Sequence, residues 1–92
     1  MIRIWSSEST VMRNPNAVWK AFENEIAVLD PAVGRLSSLN EVAARCWELA
    51  DGRTFEQLLT QLLNEFDVER DKLENDVREY LGKLDERGLL AR

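Results

Sequence analysis

Histidine is absent from the 92-residue sequence, and cysteine occurs once, as Cys46. The first absence removes the commonest general base and the commonest metal ligand. The second excludes an intramolecular disulfide and a thiolate metal cluster. Cys46 stands in an apolar helical stretch, where a lone cysteine reads as a small buried hydrophobe rather than a reactive thiol. No glycine-rich phosphate loop, nucleophile elbow or metal-spaced cluster occurs. No apolar run approaches the roughly 20 residues of a membrane span. The first ten residues lack the apolar stretch of a signal peptide, so a cytoplasmic location is expected.

What is present describes one small α+β domain. Hydrophobic residues make up 45% and charged residues 32%, ordinary values for a globular chain with a single core. The net charge is −5 and is unevenly placed. Up to Arg35 four bases (Arg3, Arg13, Lys20, Arg35) balance four acids (Glu8, Glu23, Glu25, Asp30), so the excess of acid lies C-terminal to Arg35.

Residues 1–16 read as an N-terminal arm ahead of a domain spanning residues 17–92. Ile2 and Ile4 alternate with Arg3 and Trp5, and Asn14-Pro15-Asn16 is a turn signal. The arm is either a partly ordered tail or a strand that pairs with a sheet edge, its own or a neighbour's. Exchange between protomers would make a homodimer. Val18–Phe22 and Ile26–Leu29 read as strands separated by the polar Glu23-Asn24-Glu25. After the turn residues Asp30–Gly34, Arg35–Leu39 reads as a third, half-buried strand with an open edge.

Three helices are expected next. The first begins near Ser38–Asn40, with Ser38-Leu39-Asn40-Glu41 as a capping box or Asn40 as the cap. It ends at Asp51-Gly52, where Gly52 suits a left-handed cap. The second opens with the capping box Thr54-Phe55-Glu56-Gln57 and carries Phe55, Leu58, Leu59, Leu62, Leu63 and Phe66 at helical spacing. The third starts between Asp67 and Asp71. Its stripe is Leu73, Val77, Tyr80, Leu81 and Leu84, and Gly88 stops it with Leu84 and Leu89 as a Schellman contact pair. The order is β-β-β-α-α-α: a small three-stranded antiparallel sheet followed by a three-helix bundle.

That arrangement is winged-helix-like, so a regulatory module contacting DNA or a protein is one reading. Phosphate recognition needs bases on the recognition helix. Glu65–Glu79 instead carries seven acids (Glu65, Asp67, Glu69, Asp71, Glu74, Asp76, Glu79) and three bases (Arg70, Lys72, Arg78). The other reading is peptide capture: an open strand edge beside an apolar helix makes a groove for an added strand. Periodicity alone favours the third helix's stripe as core, because most amphipathic stripes are core.

The stretch Val18–Leu90 resembles the PqqD family. The residues that carry the resemblance are Leu29-Asp30-Pro31 with Gly34, Leu39-Asn40-Glu41, Cys46–Gly52, Thr54–Leu58, Asp76-Val77 and Leu84–Leu90. The resemblance implies a three-stranded sheet on a winged-helix-like trio of helices. It implies a peptide chaperone, or RiPP recognition element, while the missing histidine and chemical motifs give the expectation of no catalysis, cofactor or metal. Such a protein binds the leader of a ribosomally made precursor peptide as an extra strand and presents it to a modifying enzyme, often a radical SAM protein. In the founding pathway the product is pyrroloquinoline quinone. By position, the peptide is implied to run along Arg35, Leu36, Ser37 and Ser38, beside Leu73, Asp76, Val77, Tyr80, Leu81 and Leu84. Asp76 would pair with a basic leader residue and Arg35 with an acidic one. A proline at Ser37 is expected to weaken binding by removing a main-chain donor.

Overall fold

Local chemistry places the helix boundaries. In the computed structural model, which describes residues 5–23, 25–30 and 34–91, Thr54 opens a helix as expected. Its hydroxyl accepts from the Gln57 N–H (3.2 Å), while the Gln57 side chain accepts from the Thr54 N–H (3.0 Å), closing a capping box. Asn40, rather than Ser38, caps the preceding helix, its side chain accepting from the Ala43 N–H at 3.1 Å. Ser38 instead donates to Glu25. The last helix ends at Gly88 (φ 71°), where the Leu89 N–H bonds the Leu84 carbonyl and the Gly88 N–H bonds that of Asp85. These are the two bonds of a Schellman motif.

The elements in chain order are β1 (Thr10–Met12), β2 (Trp19–Ala21), β3 (Ile26–Asp30), β4 (Arg35–Leu39), α1 (Glu41–Leu49), β5 (Asp51–Thr54), α2 (Phe55–Glu65) and α3 (Arg70–Glu86). The central sheet has the order β2-β3-β4 and is antiparallel throughout. The expected three-stranded sheet followed by three helices is therefore present. The alternation at Ile2 and Ile4, and the turn residues Asn24 and Pro31–Val33, lie outside the described residues.

A strand was one reading of residues 1–16, and it falls on β1, but its partner β5 was not anticipated: the two pair antiparallel in a separate two-stranded sheet. This corrects the expectation for Gly52. Ala50 closes α1, and Gly52 (φ 109°) lies in β5, where an added Cβ would stand 3.8 Å from Met12 Sδ. The positive φ serves the strand, not the helix end.

The segment from Trp5 to Asn14 straps the helix ends together. Trp5 is only 4% exposed, and its carbonyl accepts from Arg78, whose guanidinium lies over the Phe55 ring. The Phe55 and Glu56 N–H groups, two of the unpaired donors at the start of α2, bond Ser9 and Ser7 carbonyls. Arg13 Nη1 donates to the carbonyls of Trp47 and Glu48 at 2.7 Å each, placing a cation at the C-terminus of α1. Asn14 bonds Leu89 and Gly88 at the end of α3. Beneath this strap the core is built on Trp47, Phe55, Leu58, Leu59, Leu62, Val77 and Leu81, all fully buried. Each contributes roughly 1.5–3 kcal/mol of transfer free energy.

Candidate functional site

The register of the sheet determines what β4 offers to a partner. Phe22 donates to Glu25 and Leu29 to Val18, so on β3 the odd-numbered residues bond β2. Antiparallel pairs alternate, so Ile26, Val28 and Asp30 turn their main-chain groups to β4. These residues stand opposite Leu39, Ser37 and Arg35. Main-chain N–H and C=O of Leu36 and Ser38 therefore point out of the sheet. Among the described residues no strand pairs with that outer edge. The Ser37 main chain faces β3, which corrects the expectation for a proline there: it would break the sheet itself. Leu36 and Ser38 are the positions that probe the open edge.

The helix α3 runs antiparallel to β4 beside this edge. At one end Arg87 lies 3.7 Å from Asp30, which stands opposite Arg35. At the other, Leu73 and Asp76 share a depression with Asn40, Glu41 and Val42, the residues immediately C-terminal to β4. Between strand and helix lies a cleft of two depressions that meet at Tyr80 and Asn40. One, of about 200 Å³, has Val42, Val68 and Leu73 as its apolar surface, with Lys72, Asp76 and Glu41 around it. The other, of about 160 Å³, is formed by Leu39, Ala43 and Leu84, with Ser38, Lys83 and Arg87 around it.

The expected site residues fall into four groups. Leu73, Asp76, Tyr80, Leu84 and Ser38 line the cleft. Arg35 and Ser37 lie on the helix-facing side of β4, since their partners Asp30 and Val28 are buried there. The Leu36 side chain points to the opposite face and is 67% exposed, so Leu36 meets an added strand through its main chain. Val77 and Leu81 are sealed in the core and do not line the cleft. They fix α3 from below. The stripe is thus both core and wall, with Leu73 and Leu84 at the boundary.

Sequence reasoning missed Val42, Val68, Lys72, Lys83 and Arg87. Val68 carried a signal: an apolar residue, 44% exposed, in the polar link between α2 and α3.

A second hollow, of about 320 Å³, lies across α1 beneath the β2–β3 hairpin. Five glutamates border it: Glu23, Glu25, Glu41, Glu48 and Glu65. Arg45 meets Glu65 there through two hydrogen bonds, of 2.7 and 2.9 Å. Those bonds hold the Glu65 carboxyl below the ordinary carboxylate range and raise the guanidinium's pKa. No outward-facing main chain of β4 borders this hollow. Cys46 is fully buried, and burial pushes its thiol up to about 12, far from a nucleophile's requirement.

Comparisons with known proteins agree with this architecture. The sequence model of the family described as Coenzyme PQQ synthesis protein D (PqqD) matches residues 25–90. No curated protein sequence matches the chain. Among solved structures, TbiB1 in complex with the TbiA(beta) leader peptide superposes with a TM-score of 0.77 at 26% identity, over 86% of this chain and 93% of that one. The PqqD truncation of Methylobacterium extorquens PqqCD, described as a functional and stand-alone RiPP recognition element, superposes with a TM-score of 0.75. Its identity is 24%, over 97% of this chain and 96% of that one.

Proposed function

Because the chain belongs to the family of Coenzyme PQQ synthesis protein D, we propose that it is a non-catalytic peptide chaperone that binds the leader of a ribosomally made precursor peptide by strand addition. The observation that carries this reading is the pairing of an open β4 edge with an apolar cleft against α3. Main-chain bonds to Leu36 and Ser38 supply affinity without regard to sequence, and the cleft supplies selection among side chains. Leu73, Tyr80 and Leu84 give the apolar contacts, Ser37 and Ser38 border the strand, and Asp76 and Arg35 provide opposite charges at the two ends. Val77 and Leu81 support the wall. TbiB1, at 26% identity, is known with a leader peptide bound, which supports the same use here.

The modifying enzyme that receives the peptide is proposed to be a radical SAM protein, with pyrroloquinoline quinone formation as the pathway. A cytoplasmic location fits the same role. No described helix is long and apolar enough to cross a membrane. The acids of α3 disfavour nucleic acid as a partner. A homodimer by exchange of the N-terminal segment would repeat the β1–β5 pairing between protomers. Light scattering on the full chain reads that directly as a doubled mass.

The binding reading is tested with fluorescently labelled candidate leader peptides of ribosomally made precursors. Micromolar affinity is expected for the wild type. The double variant Arg35→Glu/Tyr80→Ala should bind about tenfold more weakly, roughly 1.4 kcal/mol. Equal affinity for both would defeat the site assignment. Binding of DNA in place of the leader would defeat the function.

A further inference from the structure

The cleft's geometry also specifies what kind of peptide it selects, an inference that rests on the strand-addition reading above. Every pair in the central sheet is antiparallel, and antiparallel pairing is slightly the more stable kind. A strand added antiparallel to β4 runs in the direction of α3, because α3 is itself antiparallel to β4. Its N-terminal part then meets the depression at Leu73, and its C-terminal part the one at Leu84.

The spacing of anchors is set by two rises. The α3 residues around the two depressions, 72–80 and 80–87, have midpoints about eight residues apart. At 1.5 Å per residue that is ~12 Å. An extended chain advances ~3.4 Å per residue, so ~12 Å corresponds to three or four residues. Only an even separation puts both side chains on the helix-facing side, which selects four.

Charge distinguishes the ends. Lys83 and Arg87 border the Leu84 depression, and Arg35 stands at the same end of β4. Lys83 meets Glu79 on the exposed helix surface, a pair that exchanges at little cost. Arg87 lies 3.7 Å from Asp30, which is buried, so it keeps that carboxylate while its exposed guanidinium still borders the depression. The negative end of the α3 dipole opposes an incoming anion by roughly half a charge. Three cations against the one carboxylate of Asp30 leave a positive surplus that outweighs it, and the carbonyls of Leu84, Asp85 and Gly88 are already hydrogen-bonded.

We propose that the cleft selects an extended peptide with apolar side chains at positions i and i+4 and a carboxylate just C-terminal to the second. The test is selection of a random twelve-residue display library on the full 92-residue chain. Synthetic copies of the enriched peptides are then measured by fluorescence anisotropy. The expected consensus is apolar at i and i+4, followed by Asp or Glu. Changing that acid to Lys should weaken binding about tenfold, and Lys83→Glu/Arg87→Glu should reverse the preference.

A consensus with other spacing, or an acid preference unmoved by the double variant, overturns the inference. Those same peptides separate it from the reading beneath it when measured against Leu36→Pro. If they lose affinity there, strand addition stands and only the selectivity is wrong. If they keep it, strand addition itself fails. Absence of any enriched peptide overturns both.

Discussion

The central sheet has two edges, and they differ in everything but the availability of main-chain groups. The β4 edge is five residues long and lies beside α3, with an apolar cleft between them. The β2 edge is three residues long. Its Trp19 ring stands edge-on to Trp47 at 6.0 Å and has the Arg13 guanidinium 5.3 Å from its centroid, so the helix-facing side is filled at Trp19, and the hollow beyond it at Ala21 is bordered by five glutamates. An unpaired edge is therefore not by itself a binding site. It becomes one where the edge is long enough to pair and the space beside it is an apolar cleft rather than a hollow bordered by carboxylates.

The comparison can be broken most strongly with proline. On the alternation of the sheet, Leu36 and Ala21 both point their N–H groups outward, at β4 and β2 respectively. Proline is tolerated at such edge positions because no ladder bond is lost. Leu36→Pro should weaken leader binding about thirtyfold, ~2 kcal/mol, through a lost donor and an unsatisfied peptide carbonyl. Ala21→Pro should change it less than twofold. Circular dichroism on both variants checks that the fold is kept, and equal losses at the two edges would erase the distinction.

A smaller effect is expected where Arg13 ties the β2 side to α1. Arg13→Ala removes two charge-assisted bonds to the Trp47 and Glu48 carbonyls and the stack on Trp19. Urea unfolding should show a loss of about 1.5 kcal/mol, with leader affinity unchanged.

Smaller still is Gly82, inside α3 with open space where a Cβ would sit. Gly82→Ala should raise stability by about 0.8 kcal/mol through helix propensity. Unchanged affinity in that variant would show that the bound peptide makes no close approach to this glycine.

The smallest effect at neutral pH belongs to Cys46. Its folded pKa is raised to about 12 by burial, above the roughly 8.5 of an unfolded thiol. The stabilising contribution is complete below pH 8.5 and declines as pH rises from there towards 12. Thiol labelling at pH 8 should be at least ~100-fold slower in the native state than in urea.

Helix ends were legible because their chemistry is local. Thr54 with Gln57, Asn40 with Ala43, and Gly88 between Leu84 and Leu89 each lie within one turn. The three central strands were legible from short apolar runs divided by polar breaks. The β1–β5 pair was not, because Asp51-Gly52-Arg53-Thr54 has no apolar alternation and its partner lies about forty residues earlier. Pairing, not propensity, makes it a strand.

In the site, the α3 stripe was visible, but periodicity could not divide it into core (Val77, Leu81) and wall (Leu73, Tyr80, Leu84). That division depends on how far β4 stands from the helix. The parity of β4 was hidden too, since one residue of register exchanges inward and outward groups. Ser37 therefore looked as suitable for proline as Leu36.

Amide hydrogen exchange in the presence of a leader peptide tests the central claim most directly. With saturating peptide, the Leu36 and Ser38 N–H groups should slow at least tenfold, while those of Trp19 and Ala21 keep their rates. Unchanged exchange at Leu36 and Ser38 with peptide bound, or protection at Trp19 and Ala21 instead, would contradict strand addition at β4.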